Sequence, residues 1–186
     1  LLGPKFSKND IQVFLENIQA KYKKLENEED LYDYVSDLLV NQKVVGWMQG
    51  RMEFGPRALG CRSILGDARS PEMQSVMNLK IKFRESFRPF APTVLQERVH
   101  EYFEVPDQLP SPYMLLVAPV KESKRKTLND TEKELDGMDK LKINRSEVPA
   151  ITHVNYSARL QTVDDKRNEP YHKLIRKFEE KTGCPV

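Results

Sequence analysis

The stretch VVGWMQGRMEFGPRALGCRSIL (residues 44–65) joins a short apolar run to a loop rich in glycine and arginine. The apolar run, Val44–Met48, is short and bounded by a loop, which predicts a buried strand. Gly50, Gly55 and Gly60 then allow the backbone to turn tightly and to approach a ligand closely. Because open α/β sheets bind ligands at the ends of their strands, this loop is a candidate binding site.

The same loop carries Arg51, Arg57 and Arg62. Their planar guanidinium groups present paired donors that suit the oxygens of phosphate or carboxylate. We therefore predict an anion-binding loop. The alternative for each arginine is a surface ion pair with Glu53 or Asp67. For Glu53 itself we favour a buried carboxylate that orients Arg57 over a catalytic group.

A second basic stretch, residues 80–92, contains Lys82, Arg84 and Arg88. These cations alternate with Phe83, Phe87 and Phe90. Alternation with period two predicts that the rings, like Trp47, enter the core while the cations line one surface. Between positions 51 and 88 eight basic residues face four acidic ones, an excess that suits a polyanion such as a nucleotide phosphate.

Strand and helix patterns interleave along the rest of the chain, which predicts an α/β fold, an α+β-like mixed sheet with flanking helices. Capped helices open at Ser7 and Asn27, and a proline-containing helix start lies at 70–72. Further strands are predicted at 93–95, 113–120, 148–152 and 160–163. The buried helix stripes predicted are Leu31, Tyr34, Val35 and Leu38 in the second helix and Tyr171, Leu174, Ile175 and Phe178 in the last.

Three regions follow from these patterns. Residues 1–42 form a helical N-terminal segment or connection, and residues 43–186 form the main domain. Residues 121–142 are a charged insertion with few apolar side chains, for which we predict a solvated and mobile surface. The chain starts at Leu1, not at a methionine, and ends where an apolar strand would begin, so we expect a piece of a longer protein.

Composition excludes several classes. Apolar residues make up 39% of the 186 residues, enough for one sizeable core. A net charge of +2 is too close to neutral to indicate a class of partner. No apolar run approaches the length of about 20 residues that spans a bilayer. Cys61 and Cys184 form no metal-spaced pair, so we expect a reduced, cytoplasmic protein without its own metal site. Walker, GxGxxG and HExxH motifs are absent from the sequence.

Four segments together resemble a known family: GRMEFGPRALGCRSIL (50–65), KIKFRESFRPFAPTVL (80–95), THVNYSARLQTV (152–163) and FEEKTGCPV (178–186). In this order they are similar to the signatures of the carbamoyltransferases of nodulation and antibiotic tailoring. The resemblance runs from Val44 to the end of the chain. Cys61 stands where the family commonly has asparagine, and Asn155-Tyr156-Ser157 where it has an Asp-Gly-Thr-like stretch.

The resemblance implies a C-terminal domain similar to YrdC, an open twisted sheet that makes carbamoyl-adenylate from carbamoyl phosphate and ATP. Mg²⁺ would accompany the ATP. An N-terminal transferase domain of actin-like ATPase fold, absent from this chain, would use an iron-type metal to pass the carbamoyl group to a hydroxyl acceptor. The family also continues past Val186, which bears on whether this piece is active alone.

The resemblance also implies roles for individual residues. Lys82, Arg84 and Arg88 would act catalytically on the phosphates. Substrate or phosphate binding would fall to Arg51, Arg57, Arg62, His153 and Arg159, while Glu53, Gly55 and Gly60 would shape the loop. The alternatives are a structural strand histidine at 153, a sheet-edge charge at 159 and a small buried filler at Cys61.

Two other functions compete with the enzyme domain. YrdC-like domains are associated with RNA, so the basic cluster could contact a nucleic-acid backbone. A single-strand binder needs exposed stacking rings, and because we predict the phenylalanines to be buried, a nucleic acid is not the expected partner. The third possibility is a folded but inert lid for the transferase domain.

Overall fold

The computed structural model describes residues 3–186, and the chain begins with two capped helices. Helix α1 (Lys8–Asn17) starts at the predicted capping box, in which Ser7 and Asp10 satisfy each other's backbone amides. Helix α2 (Glu28–Val40) starts at Asn27, whose side chain accepts from the backbone N–H of Asp30. Both predicted helix starts are confirmed, and positions 1 and 2 of the predicted N-terminal segment lie outside the described residues.

The predicted buried stripe of α2 is wrong in phase. Tyr34 is 49% exposed and Leu31 lies at the surface. The stripe that packs inward shares only Val35 with the prediction and consists of Tyr32, Val35, Ser36 and Leu39. This set also has helical spacing, so periodicity alone did not separate the two. Contact with the last helix and with Trp47, whose ring lies 6.4 Å from that of Tyr32, selects the face that is buried.

The glycine–arginine loop connects two paired strands. Strand β1 (Val45–Met48) runs antiparallel to β2 (Arg62–Leu65), with Val45 opposite Leu65 and Met48 opposite Arg62. The predicted strand at 44–48 is therefore confirmed, but its predicted burial is wrong except at Trp47, since Met48 is 53% exposed. Residues 49–61 form a long hairpin loop whose two ends are held together by the paired strands.

The main sheet contains strands β3 (Thr93–Leu95), β4 (Leu116–Pro119) and β5 (Ser157–Val163) in the order β3-β5-β4. The central strand is parallel to β3 and antiparallel to β4. This mixed sheet with flanking helices confirms the predicted α/β fold. The more specific likeness to a YrdC sheet stays a prediction.

Strand β5 separates the core from a polar surface. Ala158, Leu160 and Thr162 on one face are almost fully buried. The other face presents Arg159 and Gln161 to a cleft. Since successive residues of a strand point to opposite sides, one element both closes the core and supplies polar groups to the cleft.

The helices between β2 and β3 depart from the predicted pattern. Helix α3 (Met73–Val76) continues into a π-helical segment, Met77–Lys82, which ends at Phe83 in a left-handed conformation. The helix begins at Met73 without a side-chain cap, three residues after the predicted start at Ser70. A 3₁₀ turn, Gln96–Arg98, and helix α4 (Val99–Tyr102) follow β3.

Two predicted strands change in the second half of the chain. Pro149–Ile151 forms a 3₁₀ turn, because proline fixes the backbone angle and lacks the donor that a strand requires. Strand β4 is shorter than predicted since Met114 takes a positive φ of 57°. The charged insertion is largely exposed and contains a 3₁₀ turn, Glu122–Lys124, and the short helices α5 (Asp130–Glu134) and α6 (Gly137–Lys140).

The last helix, α7 (Asp165–Thr182), holds the two halves of the core together. Its predicted stripe is buried, and Lys181 reaches α2, where it donates to Asp37 at 2.6 Å. Gly183 ends the helix in the left-handed conformation that glycine favours. No helix in the described part of the chain combines the length and the apolar character needed to cross a membrane.

Leu174→Ala tests whether α7 completes the core. The side chain is fully buried, so its removal should lower the free energy of unfolding by about 2–5 kcal/mol. Urea unfolding followed by circular dichroism measures the change. Leu115→Ala serves as the control, since Leu115 is 77% exposed and should change stability by less than about 0.5 kcal/mol. Equal effects of the two variants would contradict this packing.

Candidate functional site

A cleft of about 350 Å³ lies between the 49–61 loop, the π-helical segment, β5 and α7. Its lining includes cations from three separate segments, namely Arg57, Lys82, Arg84 and Arg159. Its floor is apolar and includes Met73, Met77, Ile175 and Phe178. Cations around an apolar floor favour a ligand with an anionic part and an apolar part.

Two acids of the first basic region are engaged elsewhere, and Glu85, next to Arg84, is exposed. Asp67 binds the guanidinium of Arg69 at 2.7 Å, and Glu53 binds backbone amides. Within residues 3–186 the side chains of Arg57, Lys82 and Arg159 form no ion pair or hydrogen bond with a carboxylate. Over the same residues no group of three or more His, Cys, Asp or Glu side chains could hold a metal ion. Three positive groups of the cleft therefore lack a neutralising partner in the described chain.

The cations influence one another through the cleft. Burial and the neighbouring charge of Arg57 both lower the pKa of Arg159. Burial and the charge of Arg159 in turn lower the pKa of His153 from its ordinary 6.5. His153 is therefore uncharged at pH 7, with Nδ1 at 3.2 Å from the hydroxyl of Ser157. The cations of the cleft would attract an anion. Binding of the anion would offset the repulsion between Arg57 and Arg159.

A buried carboxylate shapes the loop that carries Arg57. One oxygen of Glu53 accepts from the backbone amides of Leu59 at 2.9 Å, Cys61 at 2.6 Å and Arg62 at 3.3 Å. Burial by itself raises the pKa of Glu53, but these hydrogen bonds outweigh burial and leave it below the ordinary value. Glu53 is thus ionised and binds the backbone of the loop, and it does not pair with Arg57; that it orients Arg57 stays a prediction.

Glycine is required at position 60. Its φ is +101°, and a Cβ placed there would lie 2.2 Å from the ring of Tyr171. Gly55 also has a positive φ, of +144°, but no atom lies near its missing Cβ. Glycine therefore permits the close approach of loop and helix at position 60, whereas at position 55 it permits only the backbone turn.

Asn78 organises the second basic stretch, and the sequence interpretation missed it. Its side chain is fully buried and donates to the carbonyls of Ser86 at 3.0 Å and Arg88 at 2.7 Å. Its amide oxygen accepts from Nε of Arg84 at 2.6 Å, and that guanidinium lies 4.9 Å from the ring centre of Phe90. An asparagine directly after the apolar positions of a helix, just before a basic loop, was the available signal.

Gln161 links the sheet to the glycine–arginine loop. Its amide nitrogen donates to the carbonyl of Leu59 at 3.0 Å, and its oxygen accepts from the hydroxyl of Thr93 at 3.0 Å. The side chain lines the cleft two residues after Arg159. Gln161 thereby ties the loop to strands β3 and β5 beside the cleft.

The other predicted site residues lie outside the cleft lining. Arg51 donates to the carbonyl of Gly3 at 3.1 Å. Arg62 donates to the carbonyls of Gln49 and Cys61, both at 2.7 Å, and so holds the ends of the loop together. Arg88 and His153 are absent from the lining as well. Cys61 is buried, and burial raises the pKa of its thiol, which suits a filler and not a nucleophile.

The prediction that the phenylalanines are buried is wrong for two of the three. Phe83 is 85% exposed and Phe87 is 40% exposed, whereas Phe90 packs partly against the core and Trp47 is buried. The cause is the π-helical segment and the left-handed turn at position 83, which replace the extended backbone that period-two alternation requires. Phe54, in the other cationic loop, is also 85% exposed.

Comparison with known proteins places these residues in a family. The model of the family described as “Carbamoyltransferase C-terminus” matches residues 36–186, which include every cation of the cleft. The chain belongs to the carbamoyltransferase family. This confirms the family predicted from the four sequence segments.

Curated relatives agree with this family. An uncharacterized protein of Synechocystis sp., sll1178, is 56% identical over 187 residues, covering 100% of this chain and 30% of the relative. Nodulation protein NolNO of Sinorhizobium fredii is 40% identical over 87% of this chain and 21% of its own length. Nodulation protein U of Rhizobium tropici is 36% identical over 82% of this chain and 22% of its own. The chain thus spans less than a third of the length of these relatives.

Glu53→Gln should destabilise this carbamoyltransferase domain in a pH-dependent way. The folded-state pKa lies below the ordinary 4.5, so the ionised carboxylate stabilises the fold above that pH and ceases to do so as the pH falls through the folded pKa. Loss of the charged acceptor should cost roughly 1–3 kcal/mol at pH 7. Urea unfolding of the wild type and of Glu53→Gln measures their free energies of unfolding at pH 7 and near pH 3. The difference between the two proteins should be smaller near pH 3. A difference that is independent of pH would contradict the assignment.

Gly60→Ala should disrupt the packing of the loop on α7. The added methyl group would clash with the Tyr171 ring, and alanine disfavours the positive φ at this position. We therefore expect the free energy of unfolding to fall by about 1–3 kcal/mol. Gly46→Ala is the matched control, because no atom lies within 4 Å of its added Cβ. Thermal unfolding of the two variants compares them directly, and a Gly60 variant as stable as the control would refute the close approach.

Proposed function

We propose that this domain binds ATP and carbamoyl phosphate in the cationic cleft and forms carbamoyl-adenylate. A partner transferase domain would then pass the carbamoyl group to a hydroxyl acceptor. The observation that carries the proposal is the convergence of Arg57, Lys82 and Arg159 on one cleft without a carboxylate partner among the described residues. An arrangement of this kind suits a polyphosphate better than a single carboxylate.

The reaction needs positioning and charge stabilisation more than covalent help from the protein. Carbamoyl phosphate reacts with water to give carbamate and inorganic phosphate. A carbamate oxygen then attacks the α-phosphorus of ATP, and the bond to the pyrophosphate oxygen breaks. Charge develops on the phosphate oxygens and on the departing pyrophosphate, where fixed cations stabilise it. Mg²⁺ would enter with ATP and be held mainly by the phosphate oxygens.

The geometry supports distinct roles for the cations. Lys82, on an exposed and flexible stem, can follow the departing pyrophosphate. Arg84 is held by Asn78 and Phe90, so its guanidinium is a fixed donor. Arg57 and Arg159 line the same cleft from the 49–61 loop and from β5. The proposed catalytic role of Arg88 receives no support from the cleft lining.

His153 has a role that depends on its charge. The lowered pKa leaves the imidazole neutral at pH 7, so it can accept a proton or a hydrogen bond beside Arg159. Arg51 and Arg62 would serve the site indirectly, since their guanidinium groups hold backbone carbonyls at the ends of the loop. Phosphate contact by either would require those hydrogen bonds to break.

A second candidate, single-stranded RNA binding, is favoured by one observation. Phe54, Phe83 and Phe87 are exposed on the two loops that carry the cations. Proteins that bind single-stranded nucleic acids stack unpaired bases on exposed aromatic rings next to basic side chains. We prefer the enzyme domain because the unpaired cations enclose a cleft and do not follow an extended groove.

Lys82→Ala and Arg159→Ala should each weaken ATP binding roughly 10- to 100-fold, the loss expected for one charge-assisted contact. Isothermal titration calorimetry with Mg²⁺-ATP measures the change in the dissociation constant. Lys80→Ala is the matched control, because Lys80 is an exposed cation of the same π-helical segment and lies outside the cleft lining. If all three variants bind ATP as the wild type does, the site is misplaced.

An activity assay separates the two candidates. Pyrophosphate release should require ATP and carbamoyl phosphate together and should be reduced by the same two substitutions. Binding of a single-stranded RNA that ATP does not displace, with no pyrophosphate released, would instead favour the RNA-binding function.

A further inference from the structure

Phe83 displays a large apolar ring in an unusual way. The side chain is 85% exposed, and the backbone adopts the left-handed conformation, with φ of 50° and ψ of 52°. Bulky residues rarely take this conformation, and aromatic rings are normally buried for much of their area. An exposed ring on a strained backbone indicates a constraint other than core packing.

The display of the ring is built into the local fold. The π-helical segment ends at Phe83, and the next backbone amide, of Arg84, donates to the carbonyl of Asn78 at 3.1 Å. The fully buried side chain of Asn78 then fixes the carbonyls of Ser86 and Arg88. Contacts on both sides of Phe83 therefore hold the turn, and the ring projects from a fixed backbone. π-Helical turns of this kind occur often at functional sites.

The position of the ring relates it to the cleft. Lys82 and Arg84, its two neighbours in the chain, both line the cleft. Phe83 is itself absent from the lining, so its exposed ring lies outside the cleft, on the segment between the two cations proposed to hold phosphates. Phe90 has a different task, since its ring lies 4.9 Å from the guanidinium of Arg84 and supports that cation from within.

We propose that Phe83 is the platform on which the base of the bound nucleotide stacks while its phosphates contact the cations of the cleft. This inference rests on the proposed function and adds the residue that would recognise the nucleoside part. A stacked base typically strengthens binding by about 5- to 150-fold. Phe83 would thus distinguish a nucleotide from an inorganic polyphosphate of the same charge.

The cleft favours a mononucleotide over a nucleic-acid strand as the source of the base. Its volume of about 350 Å³ lies in the range of small-molecule sites, roughly 300–1,000 Å³. Single-strand binders follow a longer groove, with sites of about 4–16 nucleotides. Phe54 is equally exposed, but its chain neighbours Glu53 and Gly55 are absent from the cleft lining.

The test compares ATP with inorganic tripolyphosphate, which carries the phosphates without the base. Calorimetry would measure both ligands on the wild-type chain and on Phe83→Ala, Phe83→Tyr and Phe54→Ala. Phe83→Ala should lose about 5- to 150-fold in affinity for ATP and keep its affinity for tripolyphosphate. Phe83→Tyr should bind both ligands as the wild type does, because its ring still stacks. Phe54→Ala, the matched exposed ring, should also bind both normally.

Several results would overturn the platform. An unchanged ratio of ATP to tripolyphosphate affinity in Phe83→Ala would show that no base stacks there. Equal loss of both ligands would show that the ring acts through the shape of the loop. Wild-type chain that binds tripolyphosphate as tightly as ATP would exclude the platform but leave the polyphosphate site standing. Wild-type chain that binds neither ATP nor tripolyphosphate would overturn the proposed function as well. If Phe83→Ala instead loses affinity for a single-stranded RNA and keeps its affinity for ATP, the ring belongs to an RNA site.

Discussion

Repulsion among cations that share one cleft is the constraint on which the rest of the site depends. Burial, and after it the charge of Arg57, lowers the pKa of Arg159; burial and the charge of Arg159 lower the pKa of His153 in the same way. No carboxylate in the described chain neutralises Arg57 or Arg159, so other contacts must hold these groups together. A protein that keeps like charges together before a ligand arrives has a preorganised anion site, in which binding relieves existing repulsion.

Buried polar side chains provide those other contacts. Glu53 binds three backbone amides of the glycine–arginine loop, and Asn78 binds two carbonyls and one guanidinium of the second basic stretch. Gln161 connects the first loop to β5. Each satisfies backbone groups that would otherwise be costly to bury. Glu53 and Asn78 fix the shape of their own segments, and Gln161 fixes the first loop relative to the main sheet. The apolar face of β5 and the packing of α7 supply the rigid base beneath them.

Local patterns predicted much of this structure. The strand at 44–48, the helix caps at Ser7 and Asn27 and the buried stripe of α7 follow from residue spacing, which acts over a few residues. The π-helical segment and the left-handed turn at Phe83 could not be predicted, because the contacts of Asn78 that hold them depend on the folded loop.

Composition predicted the cations of the site but not all of their partners. A guanidinium group fits a backbone carbonyl as well as a phosphate oxygen, so the sequence did not show that Arg62 holds the loop while Arg57 faces the cleft. The face of α2 that is buried was likewise decided by contact with α7, which lies far away in the sequence.

The central claim is that cations from three distant segments act on one polyphosphate. A crystal structure of the chain with a non-hydrolysable ATP analogue tests it most directly. We predict triphosphate oxygens within hydrogen-bonding distance of Arg57, Lys82 and Arg159 in the same bound molecule. An analogue bound elsewhere, or one that leaves these three side chains pointing into solvent, would contradict the account.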